Sequence, residues 1–184
     1  MIDEESIKIL KNHIKINNNE YNQNDTNCYS YALNIDYPYT LLESYKKEYL
    51  NVYKVGTISG IKKVYTKEKL EEALFSDLNI LDIDIKKINL DEQLLENEWK
   101  IAMFSTDVYY DYILGKVLDF HFIKQNFGED IWTHKVGYNG TISNLDDNKK
   151  LIINPKEFYF EDTKDIFNKN CPYEFINCYK LKKK

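Results

Sequence analysis

Residues 117–136 read Val-Leu-Asp-Phe-His-Phe-Ile-Lys-Gln-Asn-Phe-Gly-Glu-Asp-Ile-Trp-Thr-His-Lys-Val. Aromatic and β-branched residues dominate both ends of this stretch, which predicts strands over 117–125 and 131–136. Between them, residues 126–129 predict a turn, because Gly128 can adopt the backbone angles that a tight hairpin needs. The stretch therefore predicts two neighbouring antiparallel strands.

Two of the three histidines in the chain lie in this hairpin. If the chain turns about Phe127 and Gly128, His121 and His134 are direct cross-strand partners, with Cβ atoms about 4.5–5.5 Å apart. Strand alternation places three further side chains on the same face: Asp119, Ile123 and Trp132. This register is a hypothesis, because a one-residue bulge would turn one histidine to the other face.

The N-terminal part of the chain has helical periodicity. Apolar residues spaced by three and four positions predict an amphipathic helix over 3–16, and the Asn-rich stretch after it predicts a loop over 17–25. The segment that follows is small and apolar enough to begin a buried helix at Cys28. Asp25 or Thr26 would cap this helix by accepting hydrogen bonds from its first free amides.

Further elements follow from the same patterns. An irregular segment with one strand near 52–55 is predicted first, followed by helices over 67–76 and 91–98. Two more strands are predicted over 100–106 and 173–181. Helices first and antiparallel strands later is typical of an α+β fold, with N-terminal helices packed on an antiparallel sheet. We expect a single domain over 1–184, with a helix and loop at 1–24 and a C-terminal extension of the sheet at 146–184.

Composition excludes several classes of protein. The chain has 184 residues, 43% of them hydrophobic, which is enough to build one core and excludes a disordered protein. The net charge is −5 and every basic residue is Lys, so a nucleic-acid partner is not expected. The missing Arg and the many Asn, Lys, Ile and Tyr residues are typical of a low-GC genome.

Neither a membrane span nor a secretory signal is expected. No stretch approaches about 18 consecutive apolar residues, and the acidic N-terminus lacks the basic start and apolar run of a signal peptide. The three cysteines form no C-x-x-C pair, which disfavours a disulfide scaffold and indicates a reducing compartment. We expect a cytoplasmic protein, or one released without a cleavable signal.

Cys28 is the candidate nucleophile. The first turn of a helix carries a partial positive charge that favours thiolate, and a nearby histidine would complete an ion pair able to attack a carbonyl. His121 would exchange a proton with Cys28, and His134 would fix the tautomer of His121. Asp119 competes with His134 for this orienting role. The competing interpretation makes Cys28 a core residue and the two histidines a hydrogen-bonded pair on a sheet.

Three short segments resemble the papain-like cysteine peptidases and amidases, particularly the NlpC-type branch. Residues 27–34 (Asn-Cys-Tyr-Ser-Tyr-Ala-Leu-Asn) resemble the nucleophile segment, 119–122 (Asp-Phe-His-Phe) the base segment, and 132–135 (Trp-Thr-His-Lys) the orienting segment. The resemblance covers about residues 25–145. It implies a papain-like core, with catalytic roles for Cys28, His121 and His134 in that chain order, and no cofactor or metal.

The chain departs from this family in two respects. The cell-wall enzymes of the branch are usually exported, whereas no signal is predicted here, and residues 146–184 have no counterpart. For the developing oxyanion, the backbone N–H of Cys28 is one candidate donor, and Asn27 or Tyr29 would supply the second. A plain helix-entry role is an alternative for Asn27.

The sequence thus favours a thiol hydrolase, a peptidase or amidase, acting through an acyl-enzyme at Cys28. Its partner would be a peptide or another amide or ester substrate. An acyltransferase of the same fold shares the first half-reaction. Two alternatives come from other classes: a Cys/His metal site, whose ligand types would suit zinc, and a non-catalytic binding module.

Overall fold

The computed structural model describes residues 3–15, 26–35, 54–137, 140–161, 164, 167 and 169–184. In these ranges the helices are α1 (Glu4–Asn12), α2 (Cys28–Ala32) and α3 (Lys67–Ile80), with a 3₁₀ turn at Pro155–Glu157. The strands are β1 (Ile83–Ile88), β2 (Glu98–Ser105), β3 (Tyr109–Asp111), β4 (Gly115–Val117), β5 (Phe120–Asn126), β6 (Thr133–Lys135), β7 (Ile142–Ser143) and β8 (Glu174–Lys183).

Six strands form one sheet in the order β1-β8-β2-β5-β6-β7, while β3 and β4 form a separate hairpin. Every pairing in the large sheet is antiparallel. The α+β prediction is therefore confirmed at the level of a few helices and an antiparallel sheet. The C-terminal strand β8 lies inside the sheet, between β1 and β2, so it completes the sheet rather than extending its edge.

Apolar side chains cover both faces of the sheet. The helix-side cluster joins residues of α1, α2 and α3 to one face, and includes Met103 and Phe122. The tail-side cluster joins residues of the C-terminal segment to the opposite face, and includes Phe104 and Ile123. Successive strand residues alternate between the clusters, as the pleat requires. Strands β2 and β5 therefore have both faces covered.

The helices differ from their predicted lengths. Helix α1 ends at Asn12 instead of continuing to residue 16, because Ile14 forms a β-bridge with Ile35. Helix α3 runs four residues beyond the predicted 67–76, since its buried face continues through Asp77 and Leu78.

The helix predicted over 91–98 is wrong. Glu98 is the first residue of β2, and Leu95 is 62% exposed, so this segment has no apolar face to bury. The preceding strand β1 was not predicted, although Ile83 and Ile85 alternate with polar residues in the manner of a strand. The predicted strands near 100–106, 117–125, 131–136 and 173–181 are confirmed with shifted bounds.

Two predictions concern residues that are wholly or partly outside the described ranges. The predicted loop at 17–25 lies outside them. Of the predicted strand near 52–55, only Lys54 and Val55 are described, and they belong to a bend and a series of turns. In the part of the chain that the structure describes, we find no helix with the length and apolar character needed to cross a bilayer.

Asp77 ties α3 to α2 and to the turns at 55–60. Its carboxylate is fully buried and accepts hydrogen bonds from the Tyr29 hydroxyl (2.9 Å), the Gly56 N–H (2.7 Å) and the Ser59 N–H (2.7 Å). Because Tyr29 follows Cys28 directly, this carboxylate also holds the first turn of α2 in place.

Replacing Asp77 with Ala should lower the free energy of unfolding by about 3 kcal/mol or more, because two buried donors and one partly buried donor lose their acceptor. Urea unfolding followed by circular dichroism measures this loss. The control is Asp84→Ala, which removes an exposed carboxylate paired with Lys184 at 3.3 Å and should cost about 0.5 kcal/mol or less. Equal losses in the two variants would contradict the anchoring role of Asp77.

Candidate active site

Asn27 fixes the start of the helix that carries Cys28. Its Oδ1 accepts hydrogen bonds from the backbone N–H groups of Tyr29 (3.1 Å) and Ser30 (3.0 Å), and Ser30 Oγ accepts from the Asn27 N–H (3.0 Å). This reciprocal arrangement is a capping box. The predicted cap is therefore wrong for Thr26, whose buried hydroxyl has no hydrogen-bond partner among the described residues. Asp25 lies outside those residues.

Cys28 lies buried in the helix-side cluster, with 6% of its surface exposed. Burial raises the pKa of its thiol to about 12, and the negative charge of Asp119 adds to this effect. The backbone N–H groups of Phe122, Tyr29 and Cys28 itself favour the thiolate and partly oppose the rise. Cys28 is therefore a neutral thiol at neutral pH.

Both pKa shifts, that of Cys28 and that of His121, oppose the predicted thiolate–imidazolium ion pair. Helix α2 has only five residues, so its end carries few aligned peptide dipoles. Loss of solvent around the sulfur outweighs them, because burial disfavours whichever form is charged. The resting form of the site is thiol and neutral imidazole.

The two histidines form a hydrogen-bonded relay. His121 Nε2 lies 3.0 Å from His134 Nδ1, and His134 Nε2 lies 3.0 Å from the carbonyl oxygen of Leu145. A carbonyl only accepts, so His134 Nε2 carries a proton and Nδ1 of the neutral ring is an acceptor. His121 must then donate from Nε2. Its Nδ1 is left with the basic lone pair.

The relay arises from a register different from the predicted one. His134 pairs with Ile123, and Thr133 pairs with Lys124, so the histidines are diagonal neighbours on one face rather than direct partners. The connection is longer than a tight turn because the Trp132 N–H donates to the Ile152 carbonyl (2.8 Å) instead of to β5. As predicted, Ile123 and Trp132 lie on the same face of the sheet as His121, in the tail-side cluster.

Aromatic side chains from the C-terminal segment enclose the relay. Phe160 stacks on the His121 ring at 4.2 Å between centroids, Phe158 at 5.8 Å, and Tyr173 lies edge-on at 6.0 Å. Burial lowers the pKa of His121 well below its usual value, and the positive charge that His134 can carry lowers it further. Burial also lowers the pKa of His134, while the Leu145 carbonyl partly opposes this shift.

Sequence reasoning missed the residues that build this enclosure. Phe158 and Phe160 are two positions apart, a spacing that signals one apolar face of an extended segment. Tyr173 donates its hydroxyl proton to Asp119 Oδ2 at 2.8 Å, so Asp119 is engaged there while His134 partners His121. Leu145 acts through its backbone carbonyl, and no residue type signals that role.

Cys28 and His121 approach β5 from opposite faces. The side chain of Phe122 points to the helix-side cluster, whereas His121 points to the tail side, and the Phe122 N–H interacts with the Cys28 sulfur. Within the described ranges, no hydrogen bond joins Cys28 to either histidine. The structure therefore brings the two histidines together and sets the thiol beside the backbone of the same strand.

The geometry also bears on the alternative of a Cys/His metal site. The described residues contain no group of three or more His, Cys, Asp or Glu side chains that could hold a metal ion. Both ring nitrogens of His134 are also engaged in hydrogen bonds.

Comparisons with known proteins find no match: no family model, curated protein or solved structure matches this chain. The resemblance to papain-like hydrolases rests on the three short segments around Cys28, His121 and His134.

The histidine relay should make stability fall in acid. The unfolded state binds protons near pH 6.5, whereas burial holds the pKa values of His121 and His134 lower in the folded state. The contribution of the two histidines to the free energy of unfolding is therefore fully present above about pH 6.5. Below that pH the free energy of unfolding decreases, by up to about 1.4 kcal/mol per pH unit for each histidine.

Urea unfolding at pH 7.5, 6 and 5 measures this slope. His121→Phe should reduce the slope, since it removes a buried group that must stay neutral. His13→Asn removes a histidine outside the relay and should retain the wild-type slope. A wild-type protein equally stable at all three pH values would contradict the assignment of a neutral, buried relay.

Proposed function

We propose that the protein is a thiol hydrolase with a papain-like core, a peptidase or amidase that forms an acyl-enzyme at Cys28. An acyltransferase would use the same first half-reaction. His121 is the general base and His134 its orienter. The relay from Leu145 through His134 to His121 supports this proposal, because it fixes one tautomer and leaves Nδ1 of His121 as the proton acceptor.

Chemistry begins from two neutral groups. As Cys28 Sγ attacks the carbonyl carbon, its proton moves to His121 Nδ1, a carbon–sulfur bond forms and the carbonyl π electrons move to oxygen. The tetrahedral species collapses, the bond to the leaving group breaks, and His121 returns the proton to that group. Water then attacks the thioester with His121 as base, the carbon–sulfur bond breaks, the carboxylic acid leaves and His121 returns the proton to Sγ. A different nucleophile at this step would make the protein an acyltransferase.

Proton transfer requires Sγ and Nδ1 to come within hydrogen-bonding distance. The substrate-free arrangement lacks this bond, so we expect substrate binding to complete it, as catalytic contacts often tighten only in the substrate complex. The residue whose N–H interacts with the Cys28 sulfur, Phe122, directly follows His121 in the chain, so the thiol already lies beside the backbone that carries the base.

The oxyanion donors follow from the capping geometry. The Cys28 N–H lies at the first position of α2, where an amide has no acceptor within the helix, so it can donate to substrate. The Tyr29 N–H already donates to Asn27 Oδ1, and that oxygen is committed to the cap. We therefore assign the first donor to the Cys28 N–H and a helix-capping role to Asn27 Oδ1.

One observation favours a second candidate, a non-catalytic binding module. Cys28 is nearly inaccessible and burial raises the pKa of its thiol to about 12, which are the properties of a core cysteine. In that case the histidine relay would serve only to stabilise the tail-side cluster.

Acylation by p-nitrophenyl acetate separates the two candidates. A thiol hydrolase should release nitrophenolate and gain an acetyl group on the peptide containing Cys28, as read by mass spectrometry. Cys28→Ala should abolish this adduct, and His121→Ala should slow it by about 10²-fold or more, because the general base is lost. His134→Ala should retain part of the rate, since ring packing also orients His121.

His13→Ala is the control, because this histidine lies at the end of α1, outside the relay. Circular dichroism verifies that each variant is folded. If the wild type neither gains an acetyl group at Cys28 nor releases nitrophenolate faster than Cys28→Ala, or if His121→Ala reacts as fast as the wild type, the hydrolase proposal is wrong and the binding module is favoured.

The pH dependence of alkylation tests the resting state of the thiol. Because the pKa of Cys28 is raised to about 12, its rate with iodoacetamide should be very low at pH 7 and should rise about tenfold per pH unit from pH 8 to pH 10. Peptide mass mapping follows Cys28 against the partly exposed Cys171. A plateau already reached below pH 7 would instead indicate the thiolate–imidazolium pair.

A further inference from the structure

Lys135 is a fully buried cation on strand β6. Its ammonium donates hydrogen bonds to the carbonyl oxygens of Gly137 (3.2 Å) and Gly140 (2.8 Å). Gly140 is packed against the Val136 carbonyl, where an added Cβ would lie 1.8 Å from the oxygen, so only glycine fits. The ammonium is thus held at a fixed position by its own loop.

The packing of α2 against β6 places this charge next to Cys28. The Tyr31 and Thr133 hydroxyls are joined at 2.7 Å, which aligns the helix with the strand. One helical turn back from Tyr31 is Cys28, and two strand residues on from Thr133, on the same face, is Lys135. These steps are about 4.5 Å and about 6.6 Å. Cys28 and Lys135 are therefore the next facing pair.

Three titratable residues determine the charge around the Cys28 sulfur: Asp119, His121 and Lys135. Asp119 disfavours the thiolate, and His121 is neutral because burial lowers its pKa. Lys135 interacts favourably with the charged sulfur, and this interaction partly offsets the lowering of the Lys135 pKa by burial. Within the described ranges, Lys135 is the one cation that is raised in pKa by the charge of this sulfur.

We propose that Lys135 is a positioning residue for the Cys28 reaction. Its buried ammonium, fixed by the Gly137 and Gly140 carbonyls, stabilises the negative charge on the Cys28 sulfur once the thiol has lost its proton. This inference rests on the proposed function, because it assigns the charge that a neutral thiol needs as it becomes a nucleophile. No proton or electron pair passes through Lys135. It acts through Cys28 alone.

Lys124 provides a matched control. It is also buried on the helix-facing side of the sheet, but its ammonium donates to Asn34 Oδ1 (2.6 Å) and lies 4.1 Å from the centre of the Tyr31 ring. It therefore faces the C-terminal end of α2, away from Cys28. Removing its charge tests whether any buried lysine on this face has the same effect.

The first experiment measures Cys28 alkylation by iodoacetamide at pH 9, with Cys178 as the internal reference for loosening of the fold. Lys135→Met and Lys135→Gln should lower the ratio of the Cys28 rate to the Cys178 rate by about tenfold or more, the effect of losing a neighbouring opposite charge. Lys135→Arg keeps the charge and should restore the ratio to within about threefold. Lys124→Met should leave it at the wild-type value.

Unchanged ratios in folded Lys135→Met and Lys135→Gln would overturn the proposal, as would an equal fall in Lys124→Met. If both neutral variants fail to fold, the reciprocal measurement decides. Cys28→Asp places a permanent negative charge where the thiolate would form, so the pKa of Lys135 should be higher in Cys28→Asp than in the neutral variant Cys28→Asn, read from its ¹³Cε chemical shift. Equal Lys135 pKa values in these two variants would overturn the proposal.

These readouts need no substrate, so they separate this inference from the proposed function. A Cys28 that is alkylated but neither takes an acetyl group from p-nitrophenyl acetate nor releases nitrophenolate contradicts the hydrolase alone. A Cys28 that is acetylated but insensitive to Lys135 contradicts only the role of the lysine.

Discussion

Strand β5 is buried on both faces, and this double burial determines what each of its side chains can do. Phe122 and Lys124 point to the helices, while His121 and Ile123 point to the aromatic residues of the C-terminal segment. A strand covered in this way can place titratable groups in two separate low-dielectric layers. The candidate base and the candidate nucleophile then meet only at the backbone between them, next to the Phe122 N–H.

Burial also determines the charge states in the two layers. It raises the pKa of Cys28 and lowers that of His121, so both shifts favour the neutral form. An ion pair would require both groups to be charged inside the protein, at a desolvation cost that the five-residue helix α2 cannot offset. The site therefore resembles a neutral acid, Cys28, and a neutral base, His121, more than it resembles an ion pair. The Leu145 carbonyl fixes the tautomers of both histidines, so it determines which nitrogen of His121 can accept the proton.

The sequence predicted the strands and the pairing of the histidines better than it predicted their environment. Aromatic and β-branched runs identify β2, β5, β6 and β8, because strand preference is a property of local composition. The register between β5 and β6 depends instead on a bond from Trp132 to Ile152, a tertiary contact with no local signal. For the same reason, the enclosure of His121 by Phe158 and Phe160 could not be read from the hairpin alone.

The position of Cys28 shows most clearly why residue types are insufficient to define a site. A cysteine before a helix and two histidines in a hairpin agree with a nucleophile, base and orienter, yet alternation along β5 decides the face on which the base lies. The helix-facing positions of β6 carry Thr133 and Lys135, so the cation that interacts with the sulfur is a lysine rather than an imidazolium. If a substrate draws Sγ towards His121 Nδ1, it must do so past the Phe122 backbone. Local strand geometry, more than the identity of the three residues, would then control the reaction.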